Sequence, residues 1–300
     1  MTTTDFDLRS DSEIATVPAQ VQKRKFRLTA STVAAIIGGS LILILVLTAI
    51  FADQISPYDP TERVGKPFES PSAVHRLGTN DIGQDILSEL IYGTRVSLIV
   101  GFATALFAII IGTTVGLLAG YYRRADSILM RVVDIILVIP FLPLLILLAA
   151  YLGRSMFNTV IIIGLLIWAG SARVIRSQVM TLSKQEYVLA ARAVGATDRH
   201  IIFRHILPQV TLLAIGQFVL VVSTAILLEA ALSFLGLGDP IQKSWGTVLY
   251  WAQVRGAFLT PAWSWWVMPP GLLIVAAALG FALIGFSLEQ RVDPRLKQKR

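Results

Sequence analysis

Of 300 residues 55% are apolar and 15% charged, and cysteine is absent, which excludes a disulfide framework or a thiolate metal site. Blocks of about 20 apolar residues, long enough to cross ~30 Å of hydrocarbon, exclude an ordinary soluble chain built on one core. The net charge of +7 would suit a polyanion, but the Lys and Arg gather at the ends of the apolar blocks, where they report membrane topology and argue against a nucleic-acid partner.

Residues 1–22 read as a loosely ordered tail, followed by Lys23, Arg24, Lys25 and Arg27 just ahead of the first apolar block. That block is too long for a signal-peptide core and no A-x-A-like site follows it, so it reads as a retained anchor. Six spans are expected, at about 30 to 52, 96 to 120, 129 to 151, 158 to 173, 209 to 232 and 266 to 288, the fourth being short. The basic residues between spans two and three, between four and five, and in both tails place the two termini on the cytoplasmic side. The chain thus reads as an all-α polytopic membrane protein. It divides into a tail over 1–29, an anchor and external loop over 30–95, a five-helix core over 96–288 with a cytoplasmic helix near 178–207, and a tail over 289–300.

The first external loop carries Pro57, Pro60, Pro67 and Pro71, then turns sharply at Gly78 and Gly83 before an interfacial helix enters span two. It is either a structured connector or a contact for an external partner. In span two, Gly112, Gly116 and Gly120 form a small-residue stripe suited to packing within the bundle, with a gating pivot as the alternative. Span three places Asp134 about one turn inside its cytoplasmic end, where it is either an ion-pair partner of Arg131 or of a neighbouring helix, or a functional carboxylate. Pro140 and Pro143 are expected to kink that helix.

Between spans four and five lies a polar, basic insert, EYVLAARAVGATDRHIIFRHILP, from Glu186 to Pro208. Its pattern predicts a helix from about Val179 to Val194 with Tyr187, Ala190, Ala191 and Val194 on a related face, Gly195 as breaker and Asp198 as cap of the next helix. Ala190 and Ala191 permit close approach to a groove, and Arg192, Arg199 and Arg204 can pair with an acidic rim. An ordinary amphipathic surface loop would show the same local pattern. After span five, the segment from Leu232 to Trp266 carries Trp245, Trp251, Trp263, Trp265 and Trp266, expected as an interfacial aromatic belt. Glu229, one turn inside, either lines a path or pairs with another helix.

Several functions find no support in these residues. No G-x-x-x-x-G-K-[ST] phosphate loop occurs, so ATP is not handled by that route. The three histidines, His75, His200 and His205, fall on opposite sides of the membrane without H-E-x-x-H spacing, which argues against an intramembrane enzyme. An ion-coupled secondary transporter, the alternative from another class, would place several ionisable groups near the midplane and could show a repeated half; Asp134 and Glu229 lie nearer the span ends, and no repeat is visible.

The insert resembles the EAA loop of bacterial ABC importer permeases, with Ala190, Ala191, Gly195, Leu207 and Pro208 in register and Leu189 where that pattern has its first Glu; Glu186 supplies a carboxylate one turn earlier. Three further strings, LGTNDIGQDILSELIYGTRVSL near Leu77 to Leu98, MRVVDIILVIP at Met130 to Pro140 and EAALSFLGLGDPIQKSWGTVL at Glu229 to Leu249, resemble the C-type permease of oligopeptide, dipeptide and nickel importers. The tail GFSLEQRVDPRL departs from the usual pattern at Phe286, Glu289 and Gln290, while Asp293, Pro294 and Arg295 keep it.

The resemblance implies a type I ABC importer transmembrane domain in the bacterial inner membrane. Its partners would be a homologous second permease, two ATP-binding subunits or a fused pair, and an external solute-binding protein. No cofactor is implied in this chain, and ATP and magnesium belong to the partner ATPases, so the chain is not itself an enzyme. Glu186, Tyr187, Ala190, Ala191, Arg192, Gly195 and Asp198 would form the ATPase-coupling surface. Glu229, Phe234, Leu235 and Asp134 would contribute to a path or gate, with LSFLGLG as a re-entrant scoop beneath the binding protein. The implied cargo is peptide, with nickel complexes or oligosaccharides as alternatives.

Overall fold

The computed structural model describes residues 30–292. The tail expected over 1–29, with its basic cluster, and Asp293, Pro294 and Arg295 lie outside the described residues. Helix α1 (Ala30–Ile50) passes through the short α2 (Ala52–Ile55) into the irregular segment that precedes α3 (Ile86–Tyr121). After α3 come α4 (Arg123–Val138), α5 (Phe141–Leu152) and α6 (Met156–Leu182). The polar insert forms α7 (Glu186–Ala193) and α8 (Asp198–Ile201), and a π-helical turn (Ile202–Ile206) joins α8 to α9 (Leu207–Phe234). Helix α10 (Trp245–Val254), a 3₁₀ turn (Ala257–Leu259) and a second π turn (Trp263–Val267) lead into α11 (Met268–Val292). Five helical stretches are long and apolar enough to cross a membrane, and the bent α4–α5 pair brings the number to 6 if it forms one span.

The elements differ from expectation in instructive ways. The interfacial helix and span two are one uninterrupted 36-residue helix, because nothing between Ile86 and Tyr121 breaks the backbone ladder. Span three is bent by 88° at Ile139 and Pro140. The residue before a proline is pushed out of the helical region, and Ile139 is extended (φ −67°, ψ 134°). Pro143 causes no kink: it lies in the first turn of α5, where its missing N–H would have had no helical partner. The fourth span is not short; it continues beyond the apolar run to 27 residues, its polar half included.

The bundle is built on α3, which packs along α6 and α9, while α11 bridges α9 and α1. The glycine stripe explains the closeness of the first pair. A Cβ on Gly116 would lie 2.6 Å from the Ala172 carbonyl oxygen, and one on Gly120 2.8 Å from that of Arg176. Main-chain atoms cannot move aside, so a side chain here must separate the helices. Gly116→Leu is expected to destabilise the fold by at least about 1–3 kcal/mol. Melting of the detergent-solubilised chain checks this, with Gly39→Leu as control, since a Cβ at Gly39 meets nothing within 4 Å.

Segment 56–85 is an ordered connector. Its turns at Gly78 and Gly83 use φ values of 67° and 85°, and a Cβ at Gly83 would overlap the Gly65 carbonyl oxygen. The tryptophans correct the expected belt. Trp245 and Trp266 are fully buried, Trp251 and Trp265 are half-buried and Trp263 is exposed. The Trp245 indole donates to the Leu90 carbonyl (3.3 Å), and Phe68 meets Trp266 edge-on at 5.7 Å. The aromatic density therefore serves mainly to pack α10 and the 56–85 segment onto the end of the bundle.

Candidate functional site

The polar insert stands at the end of the bundle opposite segment 56–85. Helix α6 ends at Leu182, where the Ser183 N–H and hydroxyl both bond the Val179 carbonyl (2.9 and 2.7 Å), and the chain turns over 183–185, so the expected single helix from Val179 to Val194 is interrupted there. Gln185, extended at φ −70° and ψ 145°, starts α7 afresh.

The eight residues of α7 send one side chain, Val188, fully into the core, where it joins the cluster containing Ile201 and Ile206. Glu186, Leu189, Ala190 and Ala193 are exposed, a spacing that places them along one free face, whereas Ala191 is half-buried. Tyr187 and Arg192 brace the helix on its neighbours. Gln209 on α9 donates to the Tyr187 hydroxyl (2.6 Å), and Arg192 donates to the Tyr121 hydroxyl at the end of α3 (3.2 Å) while lying over that ring.

The helix closes with two backbone bonds, Gly195 N–H to Arg192 O (3.1 Å) and Ala196 N–H to Ala191 O (3.0 Å), which require the left-handed φ of 87° at Gly195. Asp198 is not the cap of the next helix. Thr197 takes that place, its hydroxyl accepting from the His200 N–H (3.3 Å), and Asp198 instead accepts from the Tyr121 hydroxyl (2.6 Å). A tyrosine at the end of α3 thus ties Arg192 and Asp198 together. The π turn at Ile202–Ile206 has a local cause as well: Pro208 lacks the N–H that would bond back to Arg204, and the helix widens just before it. Beside α7 an open depression of ≈470 Å³ is lined by Thr197, Arg199, His200, Phe203 and Arg204, with no acidic side chain among them.

The other candidates fall in separate networks. Glu229 is 3% exposed and accepts from Ser233 (2.7 Å) and, at 3.5 Å, from Ser97. Ser97 in turn accepts from the Trp245 N–H (3.2 Å), so the carboxylate sits in a closed polar cluster between α3, α9 and α10. The adjoining void, ≈10 Å³, has room for about one water. Phe234, half-buried, lines an open apolar depression of ≈490 Å³ with Phe258, Met268, Leu272 and Val275. Leu235 caps α9 and is exposed. Asp134 pairs with Arg173 on α6, not with Arg131.

Sequence reasoning missed the network that fixes α10. Ahead of α10, Lys243 donates to Glu89 (2.5 Å) and Gln84 (2.9 Å), and Asn80 donates to the same two acceptors. At its other end, Arg255 pairs with Asp81 (2.8 Å). No local signal could have shown this, since Lys243 and Glu89 lie 154 positions apart. At the same end of the bundle Arg95 binds Asp53 (3.2 Å), and its guanidinium hydrogen bonds hold that carboxyl below the usual range.

Residues 108–298 match the family described as binding-protein-dependent transport system inner membrane component, and residues 32–71 match the N-terminal TM domain of oligopeptide transport permease C. The chain is 40% identical to a dipeptide transport system permease protein of Alkalihalophilus pseudofirmus, over 88% of this chain and 86% of that one. It is 39% identical to a di/tripeptide transport system permease protein of Pseudomonas aeruginosa, over 87% and 88%. To an oligopeptide transport system permease protein of Bacillus subtilis it is 35% identical, over 88% and 86%.

Proposed function

Because the chain belongs to the family of binding-protein-dependent transport system inner membrane components, we propose that it passes peptides through the bacterial inner membrane, driven by ATPase subunits that dock on the α7 knob. As a multi-pass permease subunit of an ABC importer it is not itself catalytic. Peptide cargo is supported by the dipeptide, di/tripeptide and oligopeptide permeases it is similar to. Nickel complexes or oligosaccharides are the alternative cargo. ATP and magnesium then reside on two ATP-binding subunits or a fused pair, while a homologous second permease completes the path and a solute-binding protein delivers the cargo. The basic loops support an orientation with both termini and the α7 knob in the cytoplasm.

The observation that carries the coupling role is the construction of α7. It offers Glu186, Leu189, Ala190 and Ala193 outward, while Val188, Tyr187 and Arg192 bind it to α9 and α3. A helix free on one face and fixed on the other transmits displacement instead of absorbing it. ATPase closure then shifts the population between inward-open and outward-open bundles by its differential contact with the two. Co-purification tests the docking: the ATPase is expected to follow the unaltered chain and to be lost when residues 186–195 are deleted. Retention of the ATPase by the deletion variant would refute it.

A further inference from the structure

Helix α3 is fastened at both of its ends to elements outside the bundle core. At the end nearest α7 the Tyr121 hydroxyl donates to Asp198 (2.6 Å) and accepts from Arg192 (3.2 Å), so its proton and a lone pair are both committed to charged groups. Arg192 and Asp198 lie on either side of the left-handed turn at Gly195, so one atom pins both arms of the insert. Among the described residues, both hydrogen bonds from the insert to α3 end on this hydroxyl. At the other end of α3, Glu89 accepts from Lys243 (2.5 Å), the Leu90 carbonyl from the Trp245 indole (3.3 Å) and Ser97 from the Trp245 N–H (3.2 Å), which together fasten the start of α10. Between these two attachments α3 runs unbroken for 36 residues, about 54 Å, with no proline in it.

We infer that Tyr121 is a positioning residue for energy coupling: through its hydroxyl a displacement of α7 enters α3, and α3 carries it to α10 at the opposite end of the bundle. This deepens the reading of α7 as the ATPase-docking knob and rests on it. The covalent routes out of the insert are both irregular, since the turn at 183–185 separates α7 from α6 and the π turn at Ile202–Ile206 precedes α9. Tyr121 bypasses both. The Tyr187–Gln209 bond also ties α7 to α9, but it joins neutral groups, whereas the α3 link is charge-assisted on both sides and holds its geometry more firmly.

The chain contains no cysteine, so Ile241→Cys, at a position 82% exposed and two residues before Lys243, provides a single thiol beside α10. In the whole transporter, reconstituted in lipid nanodiscs, a charged methanethiosulfonate should label this thiol at rates that differ at least ~5-fold between the nucleotide-free state and the state trapped with ATP and vanadate. Tyr121→Phe keeps the ring beneath Arg192 and removes only the hydroxyl. It is expected to bring the two rates within ~2-fold of each other, while ATPase recovery is undiminished and the melting temperature of the isolated chain falls by no more than about 4 °C. Asp198→Asn, which keeps an acceptor for the hydroxyl, should preserve most of the difference. A full difference in Tyr121→Phe would overturn the role of Tyr121, and equal rates in the chain that keeps Tyr121, with the ATPase bound, would overturn transmission along α3. Loss of the ATPase or a larger fall in melting temperature in Tyr121→Phe would overturn it too, by making the hydroxyl a merely structural contact. The thiol is read without cargo, so failure of the peptide reading leaves this result standing, and failure of the docking reading shows separately as ATPase retained after deletion of residues 186–195.

Discussion

Lys243→Met is expected to destabilise the protein by about 3–5 kcal/mol, because it leaves the Glu89 carboxylate buried without its cation. Glu89 is almost fully enclosed, and Lys243 is its only charged hydrogen-bond partner among the described residues. The comparison that decides the cause is Arg255→Met at the other end of α10. That pair is 48% exposed on its arginine side and 12% on its aspartate side, against 3% for Glu89, so water reaches the orphaned carboxylate better and a smaller loss is expected there. Neutralising the orphaned acid, with Glu89→Gln in the Lys243→Met background, should recover part of the loss. Thermal melting of the detergent-solubilised chain reads all three. Equal, small shifts for Lys243→Met and Arg255→Met would show that burial does not set the strength of the clasp.

Ala190→Trp is expected to reduce ATPase recovery and peptide uptake by roughly 10-fold or more, while the melting temperature of the isolated chain stays unchanged. Ala190 lies on the free face of α7, so a large side chain there has no intramolecular neighbour to displace and is felt only by a docked partner. Glu186→Lys makes the same separation for charge, because the Glu186 side chain is exposed and makes no hydrogen bond or ion pair among the described residues. Gly195→Val acts differently. It forces a β-branched residue to φ 87° with an expected cost of ~1–2 kcal/mol, although a Cβ there meets nothing within 4 Å. A loss of coupling in that variant therefore reports altered helix geometry. Uptake unchanged in both Ala190→Trp and Glu186→Lys would remove α7 as the coupling surface.

The parts of this protein that were legible in its sequence share one property: their causes are local. Apolar run length gave the spans, the glycine spacing marked the close face of α3, and Gly195 signalled the left-handed end of α7. Errors arose where two local causes competed. The chain turns at 183–185 where periodicity alone would have continued the helix, and Thr197 took the capping place assigned to Asp198 because a hydroxyl one residue earlier reached the same N–H. The tryptophans misled for a different reason. An amphipathic ring suits a membrane interface and a buried seam equally well, and which one it occupies depends on whether another segment covers it.

By itself the sequence determined an all-helical membrane chain, the family resemblance and the position of the exposed insert, because hydropathy, turn chemistry and motif register are carried by neighbouring residues. The tertiary structure alone decided which charges meet: Lys243 with Glu89, Arg173 with Asp134, and Arg192 and Asp198 through Tyr121. Those partners are separated by 39 to 154 positions. Their encounters follow from how α3, α4, α6 and α10 pack, and packing is a property of the whole bundle that no short stretch of chain encodes.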